Sequence, residues 1–188
     1  EAGGEKRQGV KLQSYVDIED MGDVNTGEAQ DSWGWTDSQD GDEYALVALD
    51  NGTAFINITN PVNPVYLGWL PSVTGTSFWR DLKVYQNHAY IVTDANGDHG
   101  MQIFDLTKLR TAAPGTTFTR DGRVTWGTNS GNRGIAHNIA INEDSGYAYV
   151  MGVSPYINGG IVIFNLNPVN GGSLTNPPNV AEISGDYC

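Results

Sequence analysis

The sequence is almost without cysteine: its one cysteine among 188 residues is Cys188, so no internal disulfide can stabilise the fold. A cysteine at the last position indicates a sequence that stops short of a natural boundary. No apolar run approaches the roughly 18–20 residues that span a bilayer. Residues 1–9 are polar and glycine-rich and lack the pattern of a signal peptide. We therefore expect no membrane insertion within this segment.

Positive charge is scarce as well. Lysine and arginine number 10 against 22 aspartates and glutamates, which gives a net charge of −12. Nucleic acid and anionic lipid would be repelled by such a chain, so a nuclease or DNA-binding role is disfavoured. Acidity favours solubility and divalent cations, and it is also typical of secreted or salt-tolerant proteins.

Established catalytic motifs are missing. The sequence contains no G-x-S-x-G, H-E-x-x-H, P-loop or G-x-G-x-x-G pattern. His99 and His137 are too isolated to indicate a zinc site. No motif therefore indicates an enzyme class. Whether the protein is an enzyme stays uncertain, and a non-enzymatic role is favoured.

The chain is instead rich in glycine, with 24 residues, and 39% of it is hydrophobic. Its organising stretch is Phe78–Leu106, where valine, isoleucine, tyrosine and phenylalanine alternate with turn formers. This stretch predicts a two-residue turn at Gln86-Asn87, a polar loop at Asp94–Gly100, and strands at Leu82–Tyr85, Ala89–Thr93 and Met101–Leu106. A second hairpin turn is predicted at Asp50-Asn51-Gly52.

The same unit recurs twice. Ala89–Val92 is matched by Ala148–Met151 and by Tyr44–Val47, and the last strand returns at Thr53–Ile58 and Gly160–Leu166. Ile56 and Phe104 are 48 residues apart, and Phe104 and Phe164 are 60 apart. A period of roughly 40–60 residues with three or four strands per unit is typical of propeller blades.

We therefore predict an all-β fold of β-propeller blades, each of four antiparallel strands, with helix content near zero. The predicted parts are a flexible tail at 1–9 and a partial propeller at 10–188, with blades at about 32–70, 78–124 and 135–184. A further strand, Val10–Val16, is expected to close another blade outside this sequence.

Several strings resemble the choice-of-anchor B family of LVIVD-repeat proteins, in the family's order from about Leu12 onward. They are Trp33–Asp37, Glu43–Val47, Asn60–Gly68, Trp79–Val84, Gly100–Leu106 and Ala136–Asn142. The resemblance implies an exported bacterial or archaeal β-propeller, extracellular or at the cell surface, without implying a biochemical activity. Family members continue into another blade where this chain ends. Three blades cannot close a ring, so we expect the remainder of the polypeptide, or else neighbouring subunits, to complete it.

Arg80-Asp81 and His137-Asn138 occupy the same point of their repeats, just before the first strand, where residues of different blades converge in a propeller. They could form a site for an anion, a metal or acid–base chemistry. The alternative, which we favour, is that each pair caps its blade by hydrogen bonds to the neighbouring blade.

Two loops offer weaker binding candidates. Asp94, Asn96 and Asp98 follow the D-x-N-x-D spacing that opens a calcium loop, although the glycine falls one position late and the bidentate glutamate is missing. Calcium is therefore a possible cofactor. Trp126, in a loop of glycine, asparagine and serine, is a candidate ligand platform. The aromatic residues are otherwise expected to pack between blades.

Asn51 and Asn57 match the N-glycosylation pattern, which means little in the prokaryotic protein that the resemblance implies. The preferred function is a non-catalytic extracellular module for binding, adhesion or assembly. The rival is a metal- or channel-centred hydrolase or lyase with Arg80, Asp81 and His137 at its centre. Fold alone does not decide between them, because propellers host both.

Overall fold

The computed structural model describes residues 9–22, 27–127, 133–154 and 156–185. The chain is all-β, with 44% of its residues in strands, and this part of the prediction is confirmed. Helix within the described ranges is limited to the short 3-10 segments Ile18–Asp20, Leu106–Thr111 and Pro168–Asn170. Among the described residues, none of these segments is long and apolar enough to cross a membrane.

The strands form three sheets, none of them closed into a barrel. The first sheet contains β1 (Ala29–Thr36), β2 (Glu43–Leu49), β3 (Gly52–Asn57), β4 (Val65–Pro71) and the short β8 (Thr116–Thr117). The second contains β5 (Arg80–Tyr85), β6 (His88–Thr93), β7 (Met101–Asp105) and β9 (Gly122–Val124). The third contains β10 (Asn138–Asn142), β11 (Tyr147–Val153), β12 (Gly160–Asn165) and β13 (Asn179–Ile183). All pairings are antiparallel except that of β4 with β8.

The hairpins follow from turn chemistry. Tyr85 pairs with His88 across the predicted Gln86-Asn87 turn, where Gln86 has a φ of 51°. Leu49 pairs with Gly52 across the predicted second turn. Gly68 in β4 has a φ of 142°, and a Cβ there would lie 1.9 Å from the carbonyl oxygen of Thr116. Glycine at this position therefore lets β8 approach β4.

The sheets stack in chain order with a hydrophobic layer between each pair. Between the first and second sheets, the rings of Phe55 and Phe104 stack at 4.8 Å with Phe118 against their edges. Between the second and third sheets lie Tyr90 and Phe164 with their neighbours. Burying one such side chain fully contributes about 1.5–3 kcal/mol, so these two layers hold the sheets together.

The register of the strands gives three equivalent positions. Asp31 pairs with Ala48, Asp81 with Val92, and Asn138 with Met151. Each of the three residues lies near the start of the first strand of its sheet, and β5 lies beside both β1 and β10. The fold therefore brings the beginnings of three first strands together.

The N-terminal segment differs from the prediction, because the structure assigns no strand to Val10–Val16. Ser14 Oγ donates to the carbonyl of Pro61 at 2.7 Å. Val16 packs with Met21 against the outer face of the first sheet. The alternation at 10–16 suggested a ladder, but most of these side chains are exposed, and Val16 anchors the segment to this face.

Candidate functional site

The starts of the three first strands border an open cleft of about 540 Å³, here called the first-strand cleft. It is lined by Gln30, Asp31, Phe78, Trp79, Arg80, Asp81, Lys83, His137, Asn138, Ile139 and Met151. The structure thus places all four residues of the two predicted pairs on one cleft. It adds Asp31 and Lys83, which the sequence analysis missed.

The aspartates of this cleft bridge neighbouring sheets. Asp81 Oδ2 accepts hydrogen bonds from the backbone N–H of Ile139 at 2.8 Å and from Asn138 Nδ2 at 3.3 Å. Asp31 Oδ2 accepts in the same way from the backbone N–H of Leu82 at 3.3 Å. Each carboxylate therefore caps the first strand of the next sheet, as the favoured interpretation of Asp81 predicts.

Asp31 and Asp81 titrate differently although they are neighbours. Burial raises the pKa of Asp31, and its interaction with Asp81 raises it further. Burial alone would also raise the pKa of Asp81, but hydrogen bonds from Asp31, Lys83 and the backbone of Ile139 outweigh it and lower that pKa. Lys83 Nζ joins the pair, at 2.6 Å from Asp81 Oδ1 and 3.4 Å from Asp31 Oδ2. The pKa values of the two neighbouring carboxyl groups are therefore shifted in opposite directions.

Arg80 and Asp81 both line the cleft, but their charged groups contact different neighbouring sheets. Successive side chains of a strand point to opposite faces, and Arg80 points toward the first sheet while Asp81 points toward the third. Arg80 is 3% exposed. Its guanidinium donates to the carbonyl of Leu49 at 2.9 Å and to Ser72 Oγ at 3.0 Å. Burial lowers its pKa to about 10, so it stays charged at neutral pH.

His99 completes the surroundings of Arg80 and is fully buried. Its Nδ1 lies 2.8 Å from the carbonyl of Gly100, and its Nε2 lies 3.2 Å from Arg80 Nη1. Because the carbonyl only accepts and the guanidinium only donates, Nδ1 carries the proton and Nε2 accepts. Burial, followed by the charge of Arg80, lowers the pKa of His99 to about 3.

We expect the protein to lose stability as the pH falls below about 6.5, because His99 stays neutral when folded and is protonated when unfolded. The stabilisation is fully present above the unfolded pKa and is lost on acidification toward the folded pKa of about 3. The slope should approach about 1.4 kcal/mol per pH unit for this residue. Urea unfolding at pH 7.5, 6.5 and 5.5 measures it. His99→Gln should reduce the change of the free energy of unfolding between pH 7.5 and 5.5. An equally steep pH dependence in this variant would contradict the role assigned to His99.

The exposed rim of the first-strand cleft consists of His137 and two aromatic residues. His137 Nδ1 lies 3.0 Å from Asp94 Oδ2. Phe78 and Trp79 are more than half exposed and meet edge to face at 6.4 Å. Exposed aromatic side chains beside polar groups can contact a ligand or partner. Phe78 and Trp79 were not predicted as site residues from the sequence.

The predicted calcium loop is held by protein contacts. Asp94 Oδ1 accepts from the backbone N–H of Ala95, and Asn96 Nδ2 donates to the carbonyl of Gly75. Asp98 pairs with the guanidinium of Arg133 at 3.0 Å. No group of three histidine, cysteine, aspartate or glutamate side chains suited to a metal occurs among the described residues. Calcium binding at this loop stays a prediction.

The remaining candidates lie away from the cleft. Trp126 is 4% exposed, donates from Nε1 to the carbonyl of Ile135, and packs on Phe164. Its ring is therefore part of the core and not an exposed ligand platform. Asn51 is half-buried, and the side chain of Asn57 donates to Asp42 and accepts from the backbone N–H of Thr59. Cys188 lies outside the described residues.

Comparisons with protein-family models, with curated proteins and with solved structures gave no significant match for this chain. Function is therefore argued from the stacking of the sheets and from the two faces of the first strands. On both faces, charged side chains hold neighbouring strands in place. At the first-strand cleft, the accessible side chains lie on the rim and are those of Phe78, Trp79 and His137.

Proposed function

We propose that the protein is a non-catalytic β-propeller module, exported to the cell surface or beyond, that works in binding and assembly. The three sheets are then consecutive blades of a larger propeller. One observation carries this proposal: the carboxylates of Asp31 and Asp81 bridge successive sheets in the same manner. The resemblance of the sequence to the choice-of-anchor B family supports the location, and the net charge of −12 argues against nucleic acid as a partner.

The bridges support a radial repeat because donor and acceptor recur at equivalent positions. Leu82 and Ile139 donate the backbone N–H groups of the two bridges. Leu82 directly follows Asp81, and Ile139 directly follows Asn138. Asp81 and Asn138 occupy equivalent register positions in their sheets. The first sheet is therefore related to the second by the same bridge that relates the second to the third. In a propeller, consecutive blades follow one another by such a repeated relation. Asn138 is the third residue of the series and would meet the first strand of a fourth blade.

The outer face of the third sheet supports the presence of further blades. In the second sheet, Tyr90, Val92, Met101 and Ile103 are fully buried against the third. The third sheet repeats this apolar face, but its members are only partly buried in the described structure. They are Tyr149, Met151, Ile161 and Ile163. We propose that another blade covers them, from the remainder of the polypeptide or from a neighbouring subunit.

A non-catalytic role fits the use of the charged groups. Arg80 is buried between sheets, Asp81 caps Ile139, and Lys83 is held between two carboxylates. Groups already satisfied by structural partners are poor candidates for binding a substrate. Phe78, Trp79 and His137 stay accessible on the rim. A ligand or partner would bind there, on a rigid support.

Cryo-electron microscopy of the purified native protein tests the proposal. We expect a closed disc with a central channel, with the third sheet covered by another four-stranded sheet. Mass spectrometry of the intact chain shows whether that sheet belongs to the same polypeptide, since 188 residues account for 20.3 kDa. A monomer of that mass, with the third sheet open to solvent, would rule out the propeller.

The carboxyl pair favours one second candidate, an extracellular hydrolase or lyase. Two neighbouring carboxyl groups with pKa values pushed in opposite directions are a common acid–base arrangement, and Asp31 and Asp81 show it. Under this alternative, an activity of the native protein on a polysaccharide would be lost in Asp31→Asn and would show a bell-shaped pH profile. The non-catalytic proposal expects equal rates for the native protein and this variant.

A further inference from the structure

A second cleft, of about 620 Å³, opens between the outer strands of the first and second sheets. We call it the arginine cleft. It is lined by Leu70, Pro71, Ser72, Gln102, Phe118, Thr119, Arg120, Asp121, Gly122 and Arg123. None of these residues lines the first-strand cleft. The arginine cleft is therefore a separate surface with its own chemistry.

The charged side chains that line the arginine cleft are mostly basic, opposite in sign to the net charge of the chain. The protein has 10 basic against 22 acidic residues, yet two arginines and one aspartate line this cleft. Asp121 is already neutralised, because Lys108 Nζ lies 2.5 Å from its Oδ1 and the backbone N–H of Asp105 donates to its Oδ2 at 2.7 Å. Arg120 and Arg123 are thus the charged side chains of this cleft that form no ion pair with a described residue.

Both guanidinium groups have donors to spare. Arg123 donates from Nε to the carbonyl of His99 at 2.8 Å, which fixes the orientation of its planar group. Its terminal nitrogens make no hydrogen bond to a described residue, and Arg120 makes no hydrogen bond or ion pair within the described ranges. Burial and the nearby charge of Arg120 lower the pKa of Arg123. An anion between the two groups would relieve that repulsion.

Gln102 supplies a second, independent observation at this cleft. Its side chain is 1% exposed, and its Nε2 donates to the carbonyl of Pro71 at 2.9 Å. Its Oε1 is buried and has no hydrogen-bond partner among the described residues. A buried acceptor left unpaired is costly, and a donor that reaches Oε1 from the cleft would remove this cost.

We propose that the arginine cleft binds a sugar acid, an oxyanion attached to a hydroxylated carbon skeleton. Arg120 and Arg123 bind the oxyanion through their free N–H groups. Gln102 Oε1 accepts a hydrogen bond from a ligand hydroxyl. Carboxylate, sulfate and phosphate groups share this chemistry, and the binding experiment distinguishes them. The hydroxyl requirement separates this site from a simple anion site.

Isothermal titration of the native protein at low ionic strength tests the site. The probes are glucuronate, glucose 6-sulfate, glucose 6-phosphate, sodium sulfate and neutral glucose. We expect saturable binding of at least one charged sugar and none of glucose. Arg120→Gln should weaken it by about tenfold or more. Lys11→Gln, which removes the same charge from the exposed N-terminal segment, should leave the affinity unchanged.

Gln102→Met tests the hydroxyl contact separately. This substitution should weaken binding of the charged sugar but not binding of sulfate, because sulfate has no hydroxyl group to donate. An equal loss of affinity in Arg120→Gln and Lys11→Gln would overturn the proposed site. The absence of saturable binding of any charged probe would overturn it as well. Unchanged sugar affinity in Gln102→Met would show that a water satisfies Oε1, and the sugar-acid assignment would then fail. None of these outcomes depends on whether the sheets form a propeller.

Discussion

Replacing Arg80 by methionine is expected to lower the free energy of unfolding by about 3–5 kcal/mol. The substitution keeps an apolar stem but leaves the carbonyls of Leu49 and Asp50, Ser72 Oγ and His99 Nε2 without their common donor. Each buried group left unpaired costs about 1–3 kcal/mol. The lowered pKa of Arg80 shows that burying its charge opposes folding, but the lost hydrogen bonds are several and outweigh it.

Arg133→Met is the matched control for this experiment. Arg133 forms an ion pair with Asp98 at 3.0 Å, but its side chain is 47% exposed. Exposed pairs contribute at most about 1 kcal/mol. Urea unfolding of both variants at pH 7.5 measures the difference. If Arg80→Met lost no more stability than Arg133→Met, the bridging role of Arg80 would be wrong.

The sequence predicts the strands well where the signal is local. Ala89–Thr93 falls within β6, and the turns at Gln86-Asn87 and Asp50-Asn51-Gly52 occur where turn chemistry places them. The short strands β8 and β9 could not be predicted. β8 pairs with β4 at Gly68, and β9 pairs with β7. Both partners lie about 20 or more residues away in sequence. The segment at 10–16 alternates like a strand, but it pairs with no strand in the part of the chain that the structure describes.

The candidate site is predicted less completely, because strand order does not give side-chain direction or register. Arg80 and Asp81 are adjacent in sequence but contact different sheets. Asp31 is equivalent to Asp81 in register, but β1 and β2 are joined by residues 37–42, whereas β5 and β6 are joined by a two-residue turn, so the match is not visible in the spacing of the sequence. Gln102 and Arg123 come together only through the pairing of β7 with β9. The residues of both clefts are therefore brought together by strand register and long-range pairing.

Expressed by itself, the 188-residue chain is expected to self-associate through the outer face of the third sheet. Tyr149, Met151, Ile161 and Ile163 repeat a face that is fully buried in the second sheet. Burial of one large side chain contributes up to about 1.5–3 kcal/mol, and this free energy favours association over exposure. Sedimentation velocity should therefore show species heavier than 20.3 kDa.

The double variant Ile161→Lys, Ile163→Lys should shift the segment toward monomer, because association would now bury two ammonium groups in an apolar layer. Val169→Lys is its control: Val169 is 89% exposed in the 3-10 segment Pro168–Asn170, outside the strands of this sheet. This substitution should leave association unchanged. Circular dichroism checks that both variants keep their β content. A monodisperse 20.3 kDa monomer of the unaltered segment would contradict the role of this face. Equal dissociation by both variants would instead show that the association does not depend on burial of this face.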